Sequence, residues 1–325
     1  MNLTIDSLAP ALAAVMATVS VTPDGRHATI GDEKLDADTP QKLAQQLSGM
    51  LYQLVHAGRD KPETSRPRTL RDPDFDRTLA EAMPHTSTLA RATVLERAAD
   101  GSLLASLDGL RVVLPGDVLT TELPESLPAQ VAIRMPAARP ALSTGFFLTD
   151  GSAGTGTGGP HTLRMYVHVA TADAAPTVWH GVLSYLEERS VPYRAKITSS
   201  PQMFPRRDAL VVYLGPQGRQ AAPGLAACAA ALPGLGRATS PFAHEVATGV
   251  AVAWEPQDQR PGTRSLSFGE HRSGALAEAL VKHAVRTDGV GRSATVEESF
   301  LNAGIDPLAP GRNLASPPLP GLGLM

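Results

Sequence analysis

A chain of 325 residues with 29 basic and 32 acidic side chains, a net charge of −3 and 42% apolar residues has the balance of a folded, water-soluble protein, with length for about two domains. The absence of an overall positive field argues against a nucleic-acid partner, and no apolar run approaches the roughly 20 residues of a membrane span. Cys228 stands alone, which excludes an intramolecular disulfide and a cysteine-rich zinc site and fits a reducing cytoplasm.

The first stretch, MNLTIDSLAPALAAVMATVSV, has no basic residue before its apolar centre, so no secretory signal is expected. Residues 1 to 60 read as helical, because Leu43, Leu47, Leu51, Leu54 and Val55 recur at steps of three and four. Thr39 followed by Pro40 is a helix start. Arg59 to Arg77 is polar and proline-bearing and reads as a linker closing a helical region over residues 1–85.

From Thr86 the period changes to two. Thr93 to Arg97, Ser102 to Leu107 and Leu110 to Leu114 are separated by Asp100-Gly101 and Asp108-Gly109, dipeptides that favour hairpins. With strands at Val131 to Met135 and Ser143 to Thr149, residues 86–160 form a small antiparallel β unit ending in the glycine-rich loop GSAGTGTGGP. Its formal G-x-G-x-x-G at Gly154, Gly156 and Gly159 precedes a strand-like run rather than a helix, so it is not read as a dinucleotide site.

Residues 161–325 read as mixed α/β, giving an α+β chain overall. Leu163 to Val169, Tyr193 to Thr198, Ala209 to Leu214 and Val246 to Trp254 are strands. Thr177 to Glu188 and Gly269 to Val285 are helices, the second capped by Ser265 or Ser267. The tail from Pro307 has no regular pattern.

Alternation along RMYVHV puts Arg164, Tyr166 and His168 on one strand face. YRAKIT does the same for Arg194, Lys196 and Thr198. Arg206-Arg207-Asp208 and the His271-Arg272 pair at a helix start add further cations, the last where backbone N–H groups favour an anion. Any one arginine reads equally as a surface charge, His168 as a packed histidine and Arg207 as the partner of Asp208. Taken together, cations without acids in their own segments suit a phosphate, whose oxygens match guanidinium forks. Only five of the 29 basic residues are lysine. A lysine among arginines is the one cation that can lose its proton and serve as a base.

The blocks RMYVHV, GVLSYLEERSVPYRAKI, RRDALVVYL, SPFAHEVATGVAVAWEP and SLSFGEHRSGALAEALV resemble the HopA-type effector family over about residues 86 to 310, and LVHAGR before them is similar too. Biosynthetic members of that family include the LanY lyases of class V lanthipeptide and related peptide pathways. The resemblance implies a cytoplasmic lyase working without metal or cofactor beside an aminoglycoside-kinase-like Ser/Thr kinase. It would eliminate phosphate from phosphoserine or phosphothreonine in a precursor peptide to leave dehydroalanine or dehydrobutyrine. By motif, Lys196 would be the base, His168 the acid, Arg164, Arg207 and Arg272 phosphate holders with Arg194 beside them, and Tyr166 and His271 neighbours. The alternative is a non-catalytic phosphopeptide- or leader-binding partner of the kinase, which has no need of Lys196.

Overall fold

The computed structural model describes residues 8–60, 70–156 and 161–324. It opens with α1 (Pro10–Ala17) and then an antiparallel meander of three short strands, β1 (Val19–Val21), β2 (His27–Ile30) and β3 (Glu33–Asp36). This corrects the expectation of helix throughout residues 1 to 60. Gly25 and Gly31 turn the chain at φ of 65° and 57°, where glycine has no Cβ to clash. The leucine spacing that suggested helix begins only at Leu43.

Helix α2 (Pro40–Leu51) forms where predicted: the Thr39 side chain accepts the Lys42 N–H, and Leu43, Leu47 and Leu51 are buried. It continues into one π-helical turn, Tyr52–His56. Part of the expected linker is in fact α3 (Pro73–Glu81), because Asp72 caps it by accepting from the N–H groups of Asp74 and Phe75. Residues 61–69 of that linker lie outside the described residues.

The hairpin signals of the middle region produce β4 (Ser87–Arg97), β5 (Leu103–Leu107), β6 (Leu110–Leu114) and β7 (Ala129–Pro136), a four-stranded sheet ordered β6-β5-β4-β7. Its small core is built on Ala92, Val94, Leu103, Ala105 and Ile133. The strands β8 (Ala138–Ser143) and β9 (Phe146–Asp150) leave this unit and join a larger sheet. That sheet adds β10 (Leu163–Val169), β11 (Arg194–Thr198), β12 (Arg206–Leu214), β13 (His244–Ala247) and β14 (Val250–Trp254). Its seven strands run β13-β14-β10-β12-β11-β9-β8, each antiparallel to its neighbour. The single strand expected over Val246 to Trp254 is therefore a hairpin, turned at Gly249 with φ 73°.

Four helices complete the α+β fold: α4 (Ala175–Glu187), α5 (Ala222–Ala230), α6 (Phe268–Val285) and α7 (Arg292–Asn302). Ser267 begins α6 with a reciprocal cap to Glu270. Helices α4 and α5 cover one face of the large sheet, where Met165, Val167, Ala195, Ile197, Leu210 and Val212 meet Val178, Trp179, Val182 and Leu225. On the other face Tyr166, Val211 and Ala253 meet Leu43, Leu47 and Leu51 of α2 and Phe268, Leu276 and Leu280 of α6. Each buried Val, Leu, Ile, Met or Phe side chain among them contributes about 1.5–3 kcal/mol, so the central strands are fixed from both sides. No described helix is long and apolar enough to cross a membrane.

Candidate functional site

The face of the large sheet under α2 and α6 carries the side chains that the alternation selected. Lys196 lies opposite Val211, which lies opposite Tyr166, and on the other side Lys196 meets Leu148 of β9. Tyr166, Val211 and Ala253 enter the core beneath the helices, whereas Lys196, Tyr213 and Phe146 remain half-buried. The sheet face thus passes from closed to open between β12 and β9.

At that transition the Lys196 amine sits 4.0 Å from the centre of the Phe146 ring and 6.0 Å from that of Tyr213, within the range of cation–π attraction. No carboxylate among the described residues is at ion-pair distance from it. Other lysines differ: Lys42 pairs with Asp38 at 2.9 Å and Lys282 with Glu298 at 3.0 Å, while Lys34 is exposed. Lys61 lies outside the described residues.

Asp208 feels the Lys196 charge. Its buried carboxylate accepts two bonds from Arg206, at 2.8 and 2.9 Å, and one from the Tyr52 hydroxyl at 3.3 Å. Burial alone would favour the protonated acid, but the Arg206 guanidinium holds the Asp208 pKa far below the carboxylate range. Tyr52 and His56 face this pair together because the π-helical turn sets them side by side. His56 lies 3.8 Å from Asp208, bonds Ser240 Oγ at 2.9 Å and packs its ring against the edge of Tyr166. Burial pushes its pKa down to about 4. Gly269 lets α6 approach, since a Cβ there would stand 2.2 Å from the His56 ring.

The expected phosphate holders fare differently from one another. Arg164 is buried and gives Nε and Nη2 to Glu255, each at 2.5 Å. Arg194 gives the same two groups to Asp150, at 2.6 and 3.2 Å, and Asp150 also pairs with Arg139. The expectation of arginines without acids is therefore corrected: the acids come from other segments, across the sheet. Neither arginine gives its Nη1 to the carboxylate that holds it. Arg207 donates Nη1 to the Val55 carbonyl at 2.7 Å, and it is Arg206, not Arg207, that pairs with Asp208.

Arg272 is a larger correction. It is fully buried, donating Nε to Pro310 O, Nη2 to Arg312 O and Asn313 Oδ1, and Nη1 to His271 Nδ1. His271 in turn bonds Asp258 at 2.9 Å through Nε2. These contacts fasten the C-terminal loop to α6 and leave no face for a phosphate. Burial drives the Arg272 pKa down to about 9, and burial followed by Arg272 drives that of His271 to about 4.

His168 stays half-buried, with Nδ1 bonded to Ala238 O at 2.8 Å and its ring against Gly236, where a Cβ would stand only 2.3 Å away. Because that carbonyl accepts the Nδ1–H hydrogen bond, Nε2 is the free nitrogen. Burial lowers its pKa. It stands two strands from Lys196, roughly 10 Å of sheet width, with Asp208 electrostatically coupled to both. The Tyr166 hydroxyl is buried with no hydrogen bond among the described residues, and the charged Arg164 is its polar neighbour.

Tyr52, His56 and Glu255 were not singled out by sequence, and Arg206 was noted only as part of a cationic run. His56 lies in the LVHAGR run, whose Gly58 has φ 71° and would place a Cβ 2.4 Å from Arg207 Nε. That run was the available signal.

Compared with known proteins, residues 137–312 match the HopA1 effector protein family. Two solved structures of effector proteins from Pseudomonas syringae are similar. That from pathovar tomato strain DC3000 is 14% identical with a TM-score of 0.46, covering 84% of this chain and 95% of its own. That from pathovar syringae strain 61 is 12% identical with a TM-score of 0.44, covering 84% and 96%. No functionally curated protein matches.

Proposed function

The chain belongs to the HopA1 effector protein family, and from that premise we propose that it is a cytoplasmic phosphoserine/phosphothreonine lyase of the LanY kind. It acts on a precursor peptide phosphorylated by an aminoglycoside-kinase-like partner. The observation that carries the proposal is the Lys196 amine, half-buried on an aromatic ring with no carboxylate partner among the described residues, on a face where the arginines have theirs. An ammonium held by a carboxylate is poorly placed to give up its proton, whereas this one meets a substrate first.

In the reaction Lys196 takes the Cα proton and the freed electron pair forms the Cα–Cβ double bond. The Cβ–O bond breaks, and phosphate leaves with that bond's electrons. The Nη1 groups of Arg164 and Arg194 hold the phosphate oxygens, while Glu255 and Asp150 fix both guanidinium planes. His168 gives the leaving oxygen the Nε2 proton of its imidazolium form, in which the Ala238 carbonyl still accepts from Nδ1–H. Side chains two strands apart on one face converge on a substrate group lying between them.

The test is mass spectrometry of a synthetic phosphothreonine peptide incubated with the protein. Dehydration by the wild type and none by Lys196→Arg is the expected pair of results. A binding module without chemistry is the second possibility, favoured by how many of the cations are already satisfied by protein partners. It would bind the phosphopeptide and leave its mass unchanged.

A further inference from the structure

One row of the large sheet carries a polar group that the reaction above leaves unused. Tyr213 of β12 is the register partner of Arg164 on one side and of Arg194 on the other. Arg194 continues the row to Asp150 on β9, and Arg164 continues it to Ala253 on β14, two residues short of Glu255. Register partners share a sheet face, so a phenol stands between two arginines whose backbones are about 10 Å apart. In the run ALVVYL it is the one polar side chain, and it lies on the face that holds Lys196.

The acids pull the two arginines apart. Glu255, just beyond the end of β14, takes Nε and Nη2 of Arg164, and Asp150 on β9 takes the same groups of Arg194, so the guanidiniums are drawn to opposite sides of Tyr213. The Arg164 guanidinium carbon still lies 5.1 Å from the centre of the Tyr213 ring, and the phenol acts electrostatically on both arginines. The body of Tyr213 packs half-buried against the core under α2 and α6. Its hydroxyl has no hydrogen bond among the described residues. A placed ring with an uncommitted O–H is a donor waiting for an acceptor.

Charge alone does not make this row an anion site, because each guanidinium is already balanced by its own carboxylate. Direction does. Each guanidinium has five N–H groups and spends two on its acid, which leaves donors on both flanks and the phenol between them. Donors from three directions match a phosphate monoester, whose three free oxygens point to three corners of a tetrahedron. A planar carboxylate has two oxygens and leaves one donor unanswered. The Lys196 amine stands 6.0 Å from the Tyr213 ring, in a row two residues, or about 7 Å, along the strand. A phosphothreonine with its phosphate over Tyr213 can therefore bring its Cα to that amine.

We propose that Tyr213 is a specificity-determining residue of this site: its hydroxyl donates the third hydrogen bond to a phosphate monoester held between Arg164 and Arg194, separating tetrahedral phosphate from planar carboxylate. The placing of phosphate between these arginines rests on the reading above, whereas recognition by Tyr213 is independent of whether elimination follows.

Fluorescence anisotropy tests this with the full chain carrying Lys196→Arg, so that no probe is consumed. A labelled phosphothreonine peptide is compared with the same peptide bearing glutamate at that position. Tyr213→Phe keeps the ring beside Arg164 and removes only the hydroxyl. It should weaken the phosphopeptide about tenfold, the effect of one hydrogen bond to a charged acceptor, and leave the glutamate peptide unchanged within about twofold. With Tyr213 intact, inorganic phosphate should displace the phosphopeptide probe at concentrations where acetate of equal ionic strength does not.

Unaltered phosphopeptide affinity in Tyr213→Phe overturns the inference, as does equal weakening of both probes or equal displacement by phosphate and acetate. If the expected losses appear but the chain with Lys196 intact dehydrates no phosphopeptide, the lyase reading fails and the Tyr213 contact stands. If dehydration proceeds and Tyr213→Phe keeps the wild-type KM, the lyase reading stands and the role of Tyr213 fails.

Discussion

Two clusters of cations, one around Arg272 at the start of α6 and one around Lys196 on β11, look alike in the sequence and differ entirely in what their N–H groups meet. Around Arg272 every neighbour is a committed acceptor: two backbone carbonyls, Asn313 and His271, itself anchored to Asp258. Around Lys196 the nearest surfaces are aromatic rings, and the sheet face opens toward solvent. A helix start rich in basic residues suits an anion only while its donors are unspent. The first cluster is a fastening and the second is free to act on something else.

The sharpest way to break this contrast is to alter each cation separately. Lys196→Arg preserves the charge but removes the group that can deprotonate, so dehydration should fall by about 10³-fold while phosphopeptide affinity stays near that of the wild type. A titration alongside the activity assay separates the two. Arg272→Met should do the reverse. It strands the carbonyls of Pro310 and Arg312 and should destabilise the protein by about 3 kcal/mol, read in a denaturant melt, with turnover per folded molecule retained. Normal stability with lost turnover would put Arg272 back in the site.

The two clusters also share a pH signature. His56 and His271 have pKa values held near 4 by burial, below the ordinary 6.5, so the unfolded chain binds more protons between those values. Stability is therefore full above about pH 6.5 and falls as the pH drops toward 4, by about 1.4 kcal/mol per pH unit for each histidine in mid-range. His271→Gln should flatten part of that slope in melts taken across the range; an unchanged slope would argue against a neutral buried His271. The smallest effect belongs to Lys282, whose exposed pair with Glu298 should make Lys282→Ala neutral within about 0.5 kcal/mol.

Much of this architecture was legible in periodicity. β10, α4, β11, α6 and the β5–β6 hairpin follow from alternation, leucine spacing, Ser267 and Asp108-Gly109. The meander at residues 19–36 was hidden because its strands are only three or four residues long, too short for a period to register. Within the site, strand alternation placed Arg164, Tyr166 and His168 on one face of their strand and Arg194 and Lys196 on one face of theirs, and the register through β12 makes the two faces one. Alternation was silent on Glu255 and Asp150, because which acid reaches which arginine depends on the register between strands distant in sequence. It was equally silent on Arg206 and His56: a bulge and a π-helical turn, each a local departure from regular period, bring them to Asp208.

The central claim is that phosphate leaves by elimination at Lys196. The direct measurement is the mass of a phosphothreonine peptide after incubation with wild-type protein and with Lys196→Arg. The account predicts a wild-type product one water lighter than the unphosphorylated peptide, and intact phosphopeptide with the variant. Recovery of the threonine peptide, which is the product of hydrolysis, or equal dehydration by the variant would contradict it.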